Sequence, residues 1–406
     1  MMSMAVLTLT AVSCGNDDDF TESIFDTNIP VVDPNKATYE FDQWLYDNFG
    51  KPYNVEIQYR FNMPASDYSY QLTPADYNRS QLLAHFIRYL FYDVYTKYAG
   101  ENFMKQYGPR IFHFIGSSGY SARTGTEVLG TASGGVKITL YNINAMKPYS
   151  ENVVYNAVDI DTLNEKYFHT MHHEFSHILH QTKSYPVTFG QVTSGTYDPL
   201  DWQERDSVET HQLGYLTHYG SSATYEDFVE TLSCIITDTD YRWMNRIINA
   251  CSAGVRQGDK EQVLELIDSL GIDINQAGAH WNNFTIYKES EYNRESGIYE
   301  PTNRYVLDVH RNSAQVVNKG NTAYVNQFRY AEPQHFDSFN DYLNWVSYTT
   351  DESVAGMNAI LKKISIATAW YTDRWGLRAF TLRKEVGERQ NNINEFLHNE
   401  VTIFGI

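Results

Sequence analysis

The sequence predicts an α+β fold: a mixed sheet, one long helix that carries the chemistry, and a mostly helical C-terminal portion interrupted by a β insertion. Three observations predict it. Apolar and polar residues alternate in short runs within the first 150 residues. From 162 to about 181 there is no glycine or proline, and that run is dense in histidine. From 339 to about 397 the apolar spacing is helical.

Val55, Ile57, Tyr59 and Phe61 alternate with Glu56, Gln58 and Arg60, the pattern of a half-buried strand. Thr73 and Pro74 suit an N-cap and first turn. The helix they predict carries Leu82, Leu83, Phe86, Leu90 and Val94 and stops near Gly100. Residues 111–115, after Gly108 and Pro109, read as a central strand. After Gly134 and Gly135, Val136, Ile138 and Leu140 alternate with Lys137 and Thr139 as another strand. Thr162 and Glu165 fit a capping box at the head of the histidine-rich helix. A second helix is expected from 224 to 236, capped by Thr224, and 240–270 has a helical pattern. Within 280–335, the runs 304–309 and 323–330 read as strands joined by Asn- and Gly-rich turns.

Composition narrows the function. Lys and Arg number 31 against 50 Asp and Glu, a net charge of −19, so the chain lacks the basic footprint of a nucleic-acid binder. No run of 18 apolar residues exists to form a membrane-spanning helix. Aromatics at 15%, with 32 Tyr, suit a Tyr-lined cleft as well as a core. Three cysteines (Cys14, Cys234 and Cys251) exclude a disulfide scaffold or a Cys-based zinc site. Cys234 and Cys251 fit either one disulfide or two buried thiols.

The first residues form a short apolar run ending in Ala11, Val12, Ser13 and Cys14. It resembles a bacterial lipoprotein signal, although no Lys or Arg precedes Cys14. The acidic run 15–19 is similar to the stretch after the lipidated cysteine of surface-exposed Bacteroidota lipoproteins. The expected organisation is a signal over 1–14 with lipid on Cys14, a tether over 15–36, a catalytic domain over 37–270, and a C-terminal portion over 271–406 with its β insertion at about 280–335.

The chemistry lies in His173, Glu174 and His177. Two histidines four apart leave the same face of a helix, one turn apart, and can share one zinc ion. Glu174 lies beside them, within reach of a water on that metal. A third ligand is needed. The class that extends the helix to a third histidine requires Gly at 180 and His at 183, where this chain has His180 and Lys183. The other class takes a Glu from a second helix. Glu226 and Glu230 share a face there, so one can bind metal while the other orients a ligand imidazole. Acids in a first helical turn also answer the helix dipole, which accounts for Glu226 and Asp227 better than for Glu230. His169 and His180 flank the ligand face; each could support a ligand from outside, but a surface or core histidine is the ordinary reading.

These residues, with Tyr219 and Gly220 ahead of Glu226, resemble gluzincin metallopeptidases, notably the catalytic domain of anthrax lethal factor. There Ala stands where this chain has Val229. A closer resemblance is to the zinc-binding metallopeptidase family of Bacteroidota, the substrate import-associated zinc metallohydrolase lipoproteins. It rests on 41–59 (with Lys51, Pro52, Tyr53 and Asn54), Gly116 with Ser117, 129–141, 173–177 and 225–230. The resemblance implies a zincin-like fold, one zinc ion and a peptide or protein substrate. It also implies a lipid-anchored place on the outer membrane, facing the exterior, beside a TonB-dependent importer and its partner lipoprotein. Carried over, His173, His177 and Glu226 hold zinc, Glu174 is the general base, Glu230 supports a ligand from outside, and Tyr219 donates to the oxyanion. The strand over 136–141 would edge the cleft. The alternatives are a zinc hydrolase of a non-peptide amide or ester, and a non-catalytic glycan- or peptide-binding lipoprotein.

Overall fold

The computed structural model describes residues 32–405 apart from 63–65, 67–70, 121–124, 126, 129, 134–135, 252–253, 273–278, 281–283, 310–311, 320–321, 331–333, 337–338 and 349–355. Cys14, the signal, most of the tether, and Gly134 with Gly135 lie outside the described residues.

The α+β architecture is as the sequence implies, with a small mixed sheet set among helices. Strands β1 (Glu56–Gln58), β2 (Ile111–Phe114), β3 (Gly130–Ser133) and β4 (Lys137–Leu140) lie in the order β1-β2-β4-β3. β1, β2 and β4 are parallel, and β3 runs antiparallel to β4. Parallel β1 and β2 need a crossover, which the helices between 77 and 107 supply. β2 is central, as expected. The edge nearest the cleft is β3, not the predicted 136–141, because β4 is paired on both sides.

Phe112, Ile138 and Leu140 are fully buried. Phe91, from the crossover, connects the layers. Its ring meets Phe112 edge-on at 6.4 Å and Phe175 of the histidine-rich helix at 5.3 Å. The crossover helix begins at Tyr77, with Asp76 accepting from the Arg79 N–H as N-cap. Thr73 and Pro74 therefore precede it, and Pro74 makes a bridge to Ile115 instead.

The histidine-rich run also starts earlier than expected. Asn156 caps Ala157–Leu163 and forms a capping box with Asp159. Thr162 is one turn inside, where its hydroxyl donates to the Val158 carbonyl. A π-turn over Asn164–Phe168 leads into the helix His169–Thr182. The second helix spans Thr224–Thr237 with Ala223 at the N-cap, so Thr224 is its first residue rather than its cap. The 240–270 segment is two helices, Asp240–Cys251 and Lys260–Leu270. Cys234 and Cys251 are both buried free thiols.

The β insertion holds more strand than predicted: Phe284–Asn293 pairs with Ile298–Val309, and Asn312–Lys319 with Thr322–Tyr330. The C-terminal portion is helical, with Met357–Trp375 and Ala379–Asn391 its longest helices. Arg383 from the latter donates to the Leu270 carbonyl at 2.8 Å and pairs with Asp240 at 2.7 Å, fastening this portion beside the end of the second helix.

Candidate metal centre

Two helices cross to make the site, and each residue arrives by simple periodicity. His169, His173 and His177 recur every fourth residue along His169–Thr182, so they line one face. Glu226 and Glu230 do the same along Thr224–Thr237. These two faces meet.

His173 Nε2 and His177 Nε2 lie 3.1 Å apart, and each lies 3.2 Å from Glu226 Oε2. A tetrahedral zinc with N and O bonds of about 2.0–2.1 Å sets its ligand atoms about 3.3–3.4 Å apart. The three atoms therefore form a triangle that fits zinc with little adjustment, and their types are those zinc prefers.

The ligand imidazoles are held from behind. His173 Nδ1 bonds to Glu230 Oε1 at 2.5 Å, and the same oxygen meets His169 Nε2 at 2.9 Å. His177 Nδ1 shares a hydrogen bond with His180 Nε2 at 2.9 Å. Such contacts fix which ring nitrogen faces a metal. His169 and His180 are thus partners of the site, the less expected of the two readings the sequence left for them. Their signal was the spacing: one turn before His173 and one turn after His177. His172 faces the other way, into the core, bonded to the Tyr95 hydroxyl at 2.9 Å.

Two other acid and histidine groupings lie nearby and fit a metal less well. In His169, His173 and Glu230, the 2.5 Å contact is a hydrogen bond and too short for two ligands of one ion. In His169, Cys234 and Asp238, the carboxylate is already paired with Arg246 at 2.8 Å, and that guanidinium opposes a cation.

The electrostatics match an acidic cation site. Burial disfavours a charged His173, yet its hydrogen bonds to the Glu226 and Glu230 carboxylates push its pKa up to about 10 without metal. Burial raises the Glu226 carboxyl, but His173 and His177 outweigh it and hold the pKa at about 2. Glu230 is buried and still held well below the usual range, by His169 and His173. Glu174 moves the other way: burial dominates and lifts its carboxyl.

A cleft of about 600 Å³ opens over this triangle, bordered by Gly130, Thr131, Glu174, Tyr219 and Tyr225. Tyr219 sits on the short turn Tyr219–Ser222, with its ring 5.8 Å from that of His173. Burial and the Glu226 charge push its phenol up, so it remains an O–H donor. Gly130 passes close to the histidine helix: a Cβ there would lie 2.1 Å from Thr170 Cγ2. A small residue at 130 thus lets the edge strand approach the site.

The structure therefore brings together His173, Glu174, His177, Tyr219, Glu226 and Glu230, and leaves Cys14 undescribed. One contact was not legible at all. Asp227, read as a dipole-answering acid, is buried and paired with Lys363 at 2.7 Å, a partner from the C-terminal portion.

Comparison with known proteins agrees with this picture. A family model described as "Putative zinc-binding metallo-peptidase" matches residues 34–379. A crystal structure of a putative zinc-binding metallo-peptidase from Bacteroides caccae has the same fold, with a TM-score of 0.55 and 24% identity, covering 92% of this chain and 100% of that one. No curated protein matches.

Proposed function

The chain belongs to the zinc-binding metallo-peptidase family whose model spans residues 34–379, and from that premise we propose that it is a gluzincin-type HExxH hydrolase that cleaves peptide bonds. His173, His177 and Glu226 would hold the zinc. The observation that carries this reading is their triangle of ligand atoms at 3.1–3.2 Å beneath a cleft that also holds Glu174 and Tyr219.

Bound there, zinc supplies a Lewis acid for a carbonyl and a water acidified toward neutrality. The protein supplies the rest. Glu174 accepts the proton of the attacking water at its carboxylate and returns it to the leaving amine. Its raised pKa is the direction a base working near neutral pH needs. The Tyr219 hydroxyl donates to the substrate carbonyl oxygen as negative charge gathers on it. Glu230 and His180 keep the ligand imidazoles turned toward the metal. β3 pairs with β4 along one side, so an extended substrate can add along its other edge by backbone hydrogen bonds, at Gly130 and Thr131.

The same reading puts the chain on the outer membrane, held by lipid on Cys14 and facing the exterior. The small residues before Cys14 and the acidic run after it support this, and among the described residues no helix is long and apolar enough to cross a membrane. Association with a TonB-dependent importer is supported by the family resemblance of the sequence.

Zinc content and peptide turnover of three variants test the site. Glu226→Ala should lose most zinc, and activity with it. Glu230→Ala should weaken zinc binding or turnover by roughly 10- to 100-fold. Glu174→Gln should keep zinc and lose turnover. If Glu230→Ala empties the site while Glu226→Ala stays loaded, the ligand is one turn further along. If neither loses zinc, the third ligand lies elsewhere and the gluzincin reading fails.

A further inference from the structure

A second cavity of about 470 Å³ adjoins the metal cleft and shares two of its walls, His180 and Tyr185. It lies one side chain behind the triangle, because His180 is the residue bonded to His177. Thr224, two residues before Glu226, also lines it. A side chain leaving a substrate beside the scissile bond can therefore reach it.

One wall is braced by aromatic packing. The Tyr185 ring stacks on Phe228 at 4.4 Å and 15°, and Phe228 is braced edge-on by Phe189 at 5.1 Å and Trp370 at 5.0 Å. A Cβ at Gly190 would lie 2.5 Å from Thr224 Cγ2, so glycine at 190 allows the short helix Thr188–Gln191 to close against the glutamate helix and shape the cavity. Val187 stands 78% exposed at the mouth, an isolated apolar group that a bound ligand would cover. The remaining lining is neutral: Ser184, Gln191 and Thr224. Among the described residues, no Lys, Arg, Asp or Glu lines the cavity, and no Lys or Arg lines the cleft.

We propose that this cavity is a specificity subsite for one bulky neutral side chain of the substrate, aromatic or large aliphatic, flanking the scissile bond. A charged side chain would find no counter-charge in this lining, whereas an apolar one covers Val187 and the Tyr185 ring. The inference rests on the peptidase reading for the identity of the ligand.

Two measurements test it. In the first, the zinc-loaded full chain is given unstructured peptides in which each position samples all residues, and cuts are mapped by mass spectrometry. One position, fixed relative to the bond, should carry Phe, Tyr, Leu or Met at least about tenfold more often than Asp, Glu, Lys or Arg. Gln191→Lys, at the exposed edge of the cavity, should shift that same position toward Asp and Glu. Cleavage indifferent to the side chain, or a profile untouched by Gln191→Lys, overturns the proposal. The second measurement needs no hydrolysis. Saturation-transfer NMR compares N-acetyl-phenylalaninamide with N-acetyl-aspartamide on the zinc-loaded chain, and repeats it on Ser184→Phe, which fills the cavity. The neutral probe should bind preferentially and lose its signal in the variant. Equal binding of the two probes, or binding that survives Ser184→Phe, overturns the subsite whether or not peptides are cut. Preferential binding with no peptide cut upholds the subsite and sinks the peptidase reading instead.

Discussion

Lys363→Met tests how the C-terminal portion supports the metal centre. The Lys363 side chain is 2% exposed and that of Asp227 1%. The ammonium makes a 2.7 Å ion pair with Asp227, donates to the Gly214 carbonyl at 2.8 Å, and lies 3.9 Å from the centre of the Tyr215 ring. Tyr197 donates a further hydrogen bond to Asp227 at 2.7 Å. Burial pushes the Asp227 carboxyl up and the Lys363 ammonium down, so each keeps its charge only against its neighbour's. Methionine preserves the length and most of the volume of lysine and removes the charge. Asp227 would then be a buried anion with one remaining donor, and Gly214 a buried carbonyl without its own. Breaking a buried pair from one side costs about 3–5 kcal/mol. The unmet carbonyl adds about 1–3 kcal/mol, partly overlapping with the first figure. A total of about 4 kcal/mol is expected, a large share of the roughly 5–15 kcal/mol of a typical domain.

Equilibrium unfolding in urea measures it, with zinc held constant because bound metal stabilises the native state. The double variant Lys363→Met, Asp227→Asn decides the cause. Asn keeps an acceptor for Tyr197 and carries no charge, so roughly half or more of the loss should return. A single-variant loss under about 1 kcal/mol would refute the argument. So would a double variant as unstable as the sum of its parts, since the two groups would then not be coupled.

Three further outcomes are expected. His169→Ala removes one donor to Glu230 and should weaken zinc binding by roughly 10-fold in a chelator competition; unchanged affinity would remove His169 from the support of the site. Glu385 accepts from Lys97, Tyr98 and Arg389, and despite its burial these partners hold its pKa below the usual value. A depressed carboxylate stabilises the fold above the unfolded pKa of about 4.3, and that stability is lost as pH falls through the folded value. Glu385→Gln should therefore lower the melting temperature at neutral pH and flatten its acid limb; parallel curves would contradict this. Cys14→Ser should move the protein from the membrane fraction to a soluble one, and continued lipid labelling would place the anchor elsewhere.

What could be read from the sequence was local. The pair His173 and His177 and the base Glu174 are a one-turn pattern on one helix, and Glu226 with Glu230 repeats that logic on another. The start of the histidine helix was misplaced because two capping patterns compete. Asn156 with Asp159 matches the box as well as Thr162 with Glu165, and the earlier one wins while the later hydroxyl turns inward to a carbonyl. The edge strand β3 gave no signal, since Gly130, Thr131, Ala132 and Ser133 show no alternation. Its place depends on the close approach that Gly130 permits. Lys363 was invisible because its partner is 136 positions away, and nothing in a lone lysine on an amphipathic helix announces an ion pair.

These non-local contacts explain why the local pattern suffices for a site. A triangle with sides of 3.1–3.2 Å spans two helices, so its shape depends on where they cross. Neither helix fixes that crossing alone. Glu230 ties them on one side through His169 and His173. On another face of the glutamate helix, Phe228 is clasped by Tyr185, Phe189 and Trp370. Asp227, between the ligand Glu226 and that aromatic clasp, is held by Lys363. Consecutive residues 226, 227 and 228 thus face the metal triangle, a buried cation and an aromatic cluster, and the last two contacts both draw on the helix Met357–Trp375. A shift of the glutamate helix toward or away from the histidines must break at least one of them. The ligand distance is therefore set by packing that reaches far beyond the motif, and the C-terminal helices belong to the metal centre as much as the histidines do.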